Sequence, residues 1–272
     1  MIPVFQILNK TLSAYMIFAA AGAIAAVLTL YALAQKHGLD EIQMLFMTLW
    51  SFVGIAVGGS LLYGITNFSL ITDAIGNPGQ FSGFGDVLER LQQVFGGFVF
   101  YGGLLGVLLI VKIYSKKKRL SLRYTDLAAV GITEFHFFGR LGCFLTGCCY
   151  GIESRFGFVY RHSLAPGAND VCRFPVQLIE IVFNAVMFFV LMHLFKKKKA
   201  EGYLINIYLF TYPVVRFFDE FLRGDIYRGF LLGLSTSQWI SILLLFGNTV
   251  FFLRKLCKNK KALPTSENND LR

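Results

Sequence analysis

The chain has 272 residues, of which 55% are hydrophobic and only 15% charged, whereas about a quarter of an average soluble domain is charged. This composition argues against a soluble globular protein, and an aromatic content of 16% excludes low-complexity disorder. The apolar residues fall in blocks of about 20, the length at which a helix crosses a hydrocarbon core about 30 Å thick. We therefore predict an all-α integral membrane protein.

Seven apolar stretches are predicted to span the bilayer, at about 12–35, 42–66, 94–115, 125–147, 175–195, 202–222 and 236–255. The polar segments between them form two sets. One set holds 17 of the 26 Lys and Arg residues and comprises 36–41, 112–124, 196–201 and the tail from Arg254. The other set holds 7 and comprises 1–11, 67–93, 148–174 and 223–235. The positive-inside rule then predicts an external N-terminus and a cytoplasmic C-terminus.

The net charge of +10 would suggest a nucleic-acid partner in a soluble protein, but in a membrane protein the placement of the cations matters more than their sum. We therefore expect the lipid bilayer, and no nucleic acid, as a partner. Ala32-Leu33-Ala34 is similar to a signal-peptidase site. Cleavage there would leave the basic clusters at 116–119 and 196–199 on the external face, so the first helix is predicted to remain.

One transmembrane domain is predicted over 1–257, followed by a polar cytoplasmic tail over 258–272. The external segments 67–93 and 148–174 are rich in Gly, Pro, Asn and Asp, and we expect them to form a small head with short interfacial helices. A functional site is expected near this outer face.

Ionisable side chains inside a bilayer are costly, so they are candidates for function. Three predicted helices contain them at helical spacing. The fourth helix contributes His136, Arg140, Cys143 and Gly147; the sixth contributes Tyr212, Arg216, Glu220 and Arg223, with Asp219 beside them; the fifth contributes Gln177 and Glu180. All of them fall in the outer half of the predicted bilayer, so we expect them to line one polar cavity.

Two interpretations of these charges are open. Arg216, Asp219 and Glu220 have the spacing of pairs that satisfy each other within one helix. Arginines from two different helices near the headgroup level also suit an anion, since Arg binds phosphate bidentately. A lipid phosphate is the nearest such anion. For His136, a buried hydrogen-bonded histidine and a working base are equally compatible with the sequence.

Glycines and cysteines give two further patterns. The glycines of the third and fourth helices permit close helix packing or a ligand site: Gly96, Gly97, Gly102, Gly103, Gly106, Gly139, Gly142 and Gly147. Four cysteines, Cys143, Cys148, Cys149 and Cys172, lie at or beyond the outer ends of the predicted helices. A disulfide between Cys172 and Cys148 or Cys149 is possible there. The spacing of the cysteines matches no zinc motif, and a structural cross-link is favoured over a role in redox catalysis.

The segment from Gly139 to Gly151, GRLGCFLTGCCYG, resembles the motif of bacterial prolipoprotein diacylglyceryl transferases, which reads roughly G-R-x-G-N-F-x-N-G-E-x-x-G. Further matches follow in chain order: Tyr15, GGLLG at 102–106, RFPVQLIE at 173–180, then Tyr212, Arg216, Glu220 and Arg223, and LSTSQ at 234–238 with Gln238. The resemblance thus covers almost the whole chain.

The resemblance implies that a diacylglyceryl group is transferred from phosphatidylglycerol to the lipobox cysteine of a prolipoprotein signal peptide, in the bacterial cytoplasmic membrane, with glycerol phosphate released. It implies no metal or soluble cofactor. Arg140 and Arg216 match the family's two important arginines, and they are expected to stabilise the leaving phosphate. The remaining matched residues are expected to bind substrate, namely Tyr15, Gly102, Gly103, Gly139, Gly142, Cys143, Gly147, Gly151, Gln177, Glu180, Tyr212, Arg223 and Gln238.

The chain departs from the family pattern at the proton-transfer position. Tyr101 stands where the family has a His before the Gly-Gly of the third helix, and Cys143 and Cys148 replace the usual Asn and Glu. Tyr101 is a poor base unless a cation lowers its pKa, so His136 or Glu220 is expected to take the proton. Other functions compatible with the residues are a divergent transferase with another acceptor, an anion transporter and a thiol oxidoreductase.

Overall fold

The computed structural model describes residues 4–7, 10–67, 72, 84–225 and 230–261. Its helices in chain order are α1 (Ala14–Lys36), α2 (Glu41–Thr66), α3 (Phe84–Phe95), α4 (Phe100–Lys118), α5 (Leu122–Thr146), α6 (Val176–Lys196), α7 (Leu204–Asp219) and α8 (Thr236–Lys261). A 3-10 turn, Glu220–Leu222, continues α7. Each of the seven predicted apolar stretches overlaps one of these helices, although the stretch 94–115 begins in α3 and continues in α4. The predicted all-α class is confirmed.

The strands are short and lie at the helix ends. They form three antiparallel pairs: β1 (Val4–Ile7) with β2 (Lys10–Ser13), β3 (Glu153–Val159) with β4 (Cys172–Arg173), and β5 (Phe230–Leu231) with β6 (Leu234–Ser235). Of the two predicted head segments, 67–93 contributes most of α3. The segment 148–174 instead forms the β3–β4 sheet and a 3-10 turn, Pro166–Ala168.

Among the described residues, four helices are long and apolar enough to cross a membrane, namely α1, α2, α6 and residues Thr236–Arg254 of α8. The helices α3 and α4 meet at an angle of 93° and together qualify as one broken span or re-entrant loop. α5 has 25 residues, but Glu134, His136 and Arg140 make it less apolar. α7 has 16 residues, which is short of the usual span length.

Small residues bring the helices of the bundle close together. A Cβ atom added to Gly106 of α4 would lie 1.9 Å from the carbonyl oxygen of Gly54 on α2, and one added to Gly102 would lie 2.2 Å from that of Gly58. On α5, a Cβ atom at Gly142 would lie 2.9 Å from Cα of Tyr15 on α1. These contacts hold α2 against α4 and α1 against α5.

Buried polar groups connect the helices at the end of the bundle where α5 and α7 begin. The Asp126 carboxylate on α5 accepts hydrogen bonds from the backbone N–H groups of Gly202 (2.6 Å) and Leu204 (3.0 Å), which fixes the start of α7. Asn206 on α7 donates its side-chain amide to Oδ1 of Asn248 on α8 at 2.6 Å. The helix α8 extends to Lys261, beyond the predicted domain boundary at 257, and 262–272 of the predicted tail lie outside the described residues.

Candidate active site

An ion pair inside the bundle joins α5 to α6. Arg140 Nη2 lies 2.8 Å from Glu180 Oε1, and both side chains are almost completely buried, at 8% and 1% exposure. Tyr212 on α7 donates its hydroxyl to Glu180 Oε2 at 3.3 Å. The positions predicted from three separate stretches therefore meet around one carboxylate, which fixes the Arg140 guanidinium in place.

His136 lies one turn before Arg140 and takes part in the same network. Arg140 Nε donates to His136 Nε2 at 3.4 Å, and Nδ1 lies 2.9 Å from the hydroxyl of Tyr208. Because Nε2 accepts the hydrogen bond from Arg140, the ring proton lies on Nδ1. Glu180 Oε2 is 3.5 Å from the same Nε2, so a proton arriving there would have a carboxylate beside it. The ring stacks on Phe100, with centroids 4.0 Å apart.

Arg216 on α7 has partners on its own helix and on α8. Its Nη2 lies 2.6 Å from Glu220 Oε2, and its Nη1 lies 3.5 Å from Asp219 Oδ2. Nη2 also donates to Ser237 Oγ of α8 at 3.2 Å. The pairing of Arg216 with Asp219 and Glu220, one of the two open interpretations, is therefore present, and the same guanidinium also reaches the cavity described below.

The predicted helical face of Tyr212, Arg216, Glu220 and Arg223 needs a correction. The α-helix ends at Asp219, and Arg223 has an extended backbone with φ −82° and ψ 139°. Arg223 nevertheless returns to the group, because its Nη1 lies 3.8 Å from Glu220 Oε2. Its Nε donates to Asp225 Oδ1 at 2.9 Å. Glu220 thus lies between two arginines.

The arginines open onto one cavity of about 800 Å³. Nine of the predicted site residues line it: Tyr15, Tyr101, Gly103, His136, Gly139, Arg140, Cys143, Arg216 and Arg223. Much of the remaining lining is apolar and includes Leu30, Met44, Met47, Leu104 and Val107, with Thr48, Ser51, Asn67 and Asp225 among its polar members. Met44 belongs to the first turn of α2, whereas Arg140 is near the last turn of α5. The cavity therefore has a cationic end and an apolar end.

Tyr101 lies in the first turn of α4 and is 2% exposed. Its hydroxyl lies 2.5 Å from Ser241 Oγ on α8, and Ser241 in turn donates to the carbonyl oxygen of Ser237 at 2.8 Å. Since the proton of Ser241 is used in that bond, Tyr101 donates to Ser241 and keeps its own proton. This arrangement fixes the phenol at the cavity wall.

The other predicted site residues do not line the cavity, and most of them form hydrogen bonds or close packing contacts in its surroundings. Gln177 donates to the carbonyl oxygen of Cys148 at 2.8 Å, and Gln238 accepts from the backbone of Ser235 at 2.9 Å. Gly102 and Gly142 lie in the helix contacts described above. A Cβ atom on Gly151 would lie 2.2 Å from the carbonyl oxygen of Phe174. Their environments fit packing and positioning, and Glu180, Tyr212 and Glu220 hold the arginines.

The cysteines correct the sequence interpretation. Cys143, Cys148, Cys149 and Cys172 are all free thiols, so the possible disulfide to Cys172 is not formed. Three of these sulfurs, those of Cys143, Cys148 and Cys149, lie within 4.8 Å of one another and line the cavity. Gly147 ends α5 in the left-handed region with φ 78°, which turns the chain back so that the sulfurs meet.

Sequence reasoning assigned no site role to three polar residues that the structure places here. Tyr208 contacts His136, Ser237 accepts from Arg216, and Ser241 accepts from Tyr101. Tyr208 lies one turn before Tyr212, so the spacing of the polar face of α7 extends to it. Ser241 lies four residues after Ser237 on α8, which is the same helical relation.

The amino-acid sequence of the chain was compared with those of known protein families. The model of the prolipoprotein diacylglyceryl transferase family matches residues 3–254. A phosphatidylglycerol–prolipoprotein diacylglyceryl transferase of Clostridium tetani is 33% identical over 257 residues, which cover 93% of this chain and 98% of the relative. The second such enzyme of Clostridium perfringens is 32% identical over 245 residues, covering 88% and 90%. One from Idiomarina loihiensis is 31% identical over 223 residues, covering 80% and 77%.

These matches run through the helices that supply the arginines, the tyrosines and His136. With a family match from residue 3 to residue 254, the chain belongs to the prolipoprotein diacylglyceryl transferase family.

Proposed function

We propose that this protein is a transferase that moves the diacylglyceryl group of phosphatidylglycerol to the lipobox cysteine of prolipoproteins. The observation that carries this proposal is the two-ended cavity, whose arginines suit a lipid phosphate and whose apolar walls suit acyl chains. A divergent transferase with another acceptor would use the same lipid end. The names of the relatives favour the prolipoprotein acceptor.

The reaction requires a substitution at a glycerol carbon. The sulfur of the lipobox cysteine attacks the glycerol carbon that bears the phosphate ester, a C–S bond forms, and the C–O bond to phosphate breaks. The electron pair of that bond leaves with glycerol phosphate. Arg140 and Arg216 supply positive charge where the leaving oxygen becomes anionic, and their guanidinium groups are already oriented by Glu180 and Glu220.

His136 is our choice for the proton acceptor. Its ring lines the cavity, and Glu180 Oε2, 3.5 Å from Nε2, would stabilise the imidazolium that forms. Glu220 is a weaker choice, because it lies between Arg216 and Arg223 and does not belong to the cavity lining. Tyr101 donates its hydroxyl proton to Ser241, which holds the phenol in position at the cavity wall.

We further propose that the seven helices corresponding to the apolar stretches all cross the bacterial cytoplasmic membrane. The N-terminus is then external, the C-terminus cytoplasmic, and the cationic end of the cavity faces outward. The 17-to-7 division of Lys and Arg between the two sets of loops supports this orientation. A reporter enzyme that is active only in the cytoplasm should be active when it is fused after Arg272. An external C-terminus would overturn the seven-helix topology.

The test of the activity is mass spectrometry of a synthetic lipobox peptide after incubation with the purified protein and phosphatidylglycerol. We expect the mass increment of one diacylglyceryl group on the cysteine peptide and none on the same peptide with Ser in place of Cys. Lipid consumed without peptide modification would point to another acceptor and would overturn the proposed one.

A further inference from the structure

Three thiols from one turn form a cluster at the cavity wall. Cys143 lies in the last turn of α5, and Cys148 and Cys149 follow its end. The backbone N–H groups of Gly147 and Cys148 both donate to the carbonyl oxygen of Cys143, at 3.0 and 3.2 Å. Cys149 has a positive φ of 54°, which is unusual for a residue with a side chain. The result is a compact group of three sulfurs within 4.8 Å of one another.

The spacing of these sulfurs fits a thiolate-bound metal ion. With Zn–S bonds of about 2.3 Å, tetrahedral ligand sulfurs are about 3.8 Å apart. The cluster therefore needs a contraction of at most about 1 Å to hold the ion. Soft thiolate ligands favour Zn²⁺ over Mg²⁺ or Ca²⁺.

The surroundings supply positive charge for the thiolates. Arg140 and Arg223 line the same cavity as the three cysteines. The negative charge of three metal-bound thiolates would therefore lie beside cations that offset it.

Three protein ligands leave the fourth position of a tetrahedral ion open. All three cysteines line the cavity that Arg140 and Arg216 also line, so a ligand from the cavity can fill that position. Catalytic zinc sites have this composition, with three protein ligands and one exchangeable ligand.

We propose that Cys143, Cys148 and Cys149 bind one Zn²⁺ ion whose fourth ligand is the thiolate of the acceptor cysteine. The second half of this statement rests on the proposed function, whereas the metal site does not. Zinc coordination favours the thiolate over the thiol, which supplies activation in a chain that has Tyr101 at the family's usual His position.

The step balances without another reagent. The acceptor thiol loses its proton to His136 as the sulfur binds zinc. The same sulfur then uses an electron pair to form the C–S bond, the C–O bond to phosphate breaks, and the thioether product leaves the ion because it is a weaker ligand than a thiolate. No group is oxidised or reduced.

The metal site is tested first, by elemental analysis of the full-length protein purified under reducing conditions without chelator. We expect one zinc ion per chain, lost in Cys143→Ser and in Cys149→Ser. Cys172→Ser is the matched control and should retain the ion, since Cys172 lies on β4 outside the cluster. Zinc-free wild-type protein that fails to bind added Zn²⁺, or equal zinc in all three variants, would overturn the site.

A second measurement tests the role of the ion independently of folding defects in the variants. Wild-type protein loaded with Co²⁺ should show sulfur-to-cobalt charge-transfer absorption, which should increase when a lipobox cysteine peptide is added without lipid. The Ser peptide should cause no change. Unchanged absorption with the cysteine peptide would overturn acceptor binding at the metal, and retained zinc in a protein that transfers no lipid would overturn the proposed function alone.

Discussion

Arg140 and Glu180 form a buried ion pair of 2.8 Å between α5 and α6, and the same carboxylate also contacts His136 and Tyr212. Burial of a charged pair is favourable only if the geometry is good and further hydrogen bonds are made. Glu180 meets both conditions. The pair holds one guanidinium at the cationic end of the cavity in a fixed orientation, which a reaction that expels a phosphate requires.

Arg140→Lys is expected to lose most of the transferase activity. Lysine retains the positive charge but not the planar fork that contacts Glu180 and His136 and that would bind two phosphate oxygens in the proposed reaction. Initial rates of peptide lipidation measure the effect. Arg155→Lys, on the exposed strand β3, is the matched control and should behave as the wild type. Near-normal turnover of Arg140→Lys would remove Arg140 from the chemistry.

Glu180→Gln is expected to lower the stability as well as the rate, because it leaves the Arg140 charge buried without its partner. Breaking a buried pair in this way costs about 3–5 kcal/mol. Thermal unfolding in detergent measures the loss. Glu153→Gln is the control, since Glu153 is 70% exposed in its pair with Arg173 and such pairs contribute about 0–1 kcal/mol. Equal unfolding temperatures for the two variants would contradict a structural role of the Arg140–Glu180 pair.

Tyr101→Phe and His136→Gln should have different effects on the reaction rate and on its pH dependence, because Tyr101 is a hydrogen-bond donor and His136 is the proposed base. Loss of the Tyr101 hydroxyl is expected to lower the rate tenfold to a hundredfold, about 1.4–2.8 kcal/mol of barrier, with the pH dependence unchanged. Loss of His136 should remove the acid limb of the rate profile, because a base works only when it is unprotonated. An unchanged pH profile in His136→Gln would assign the proton to another group, and a changed one in Tyr101→Phe would contradict the donor role.

Gly106→Val is expected to separate α2 from α4 and to unfold the protein at a lower temperature. The new Cβ atom would lie 1.9 Å from the carbonyl oxygen of Gly54, so the two helices cannot keep their contact. Gly247→Val on α8 is the control, because no heavy atom lies within 4 Å of its Cβ position among the described residues. Equal stability of the two variants would show that the close approach of α2 and α4 is dispensable.

Helical spacing in the sequence was sufficient to predict the main charged face of the site. His136 and Arg140 lie four residues apart inside one continuous helix, so their common orientation follows from the period of 3.6. The same reasoning was wrong for Arg223, since α7 ends at Asp219 and the return of Arg223 depends on the 3-10 turn Glu220–Leu222. Contacts between helices, such as Tyr101 with Ser241, depend on packing that a single helix pattern does not contain.

For the cysteines, too, the sequence predicts the position along the helix but not the contacts. Their position near the outer end of α5 follows from the apolar pattern, but their mutual contact depends on left-handed backbone at Gly147 and at Cys149. A glycine after a helix predicts such a turn, whereas a cysteine with positive φ has no sequence pattern that would reveal it. The disulfide with Cys172, which the sequence left open, is not formed, and the cluster of three was missed.

The most direct test of the central claim follows both products of one reaction. Phosphatidylglycerol labelled separately in its diacylglycerol part and in its headgroup is incubated with the protein and a lipobox cysteine peptide. We expect the diacylglycerol label on the peptide and an equal amount of headgroup label released as glycerol phosphate. Peptide that gains a single acyl chain, or headgroup label that remains with the lipid while the peptide is modified, would contradict diacylglyceryl transfer.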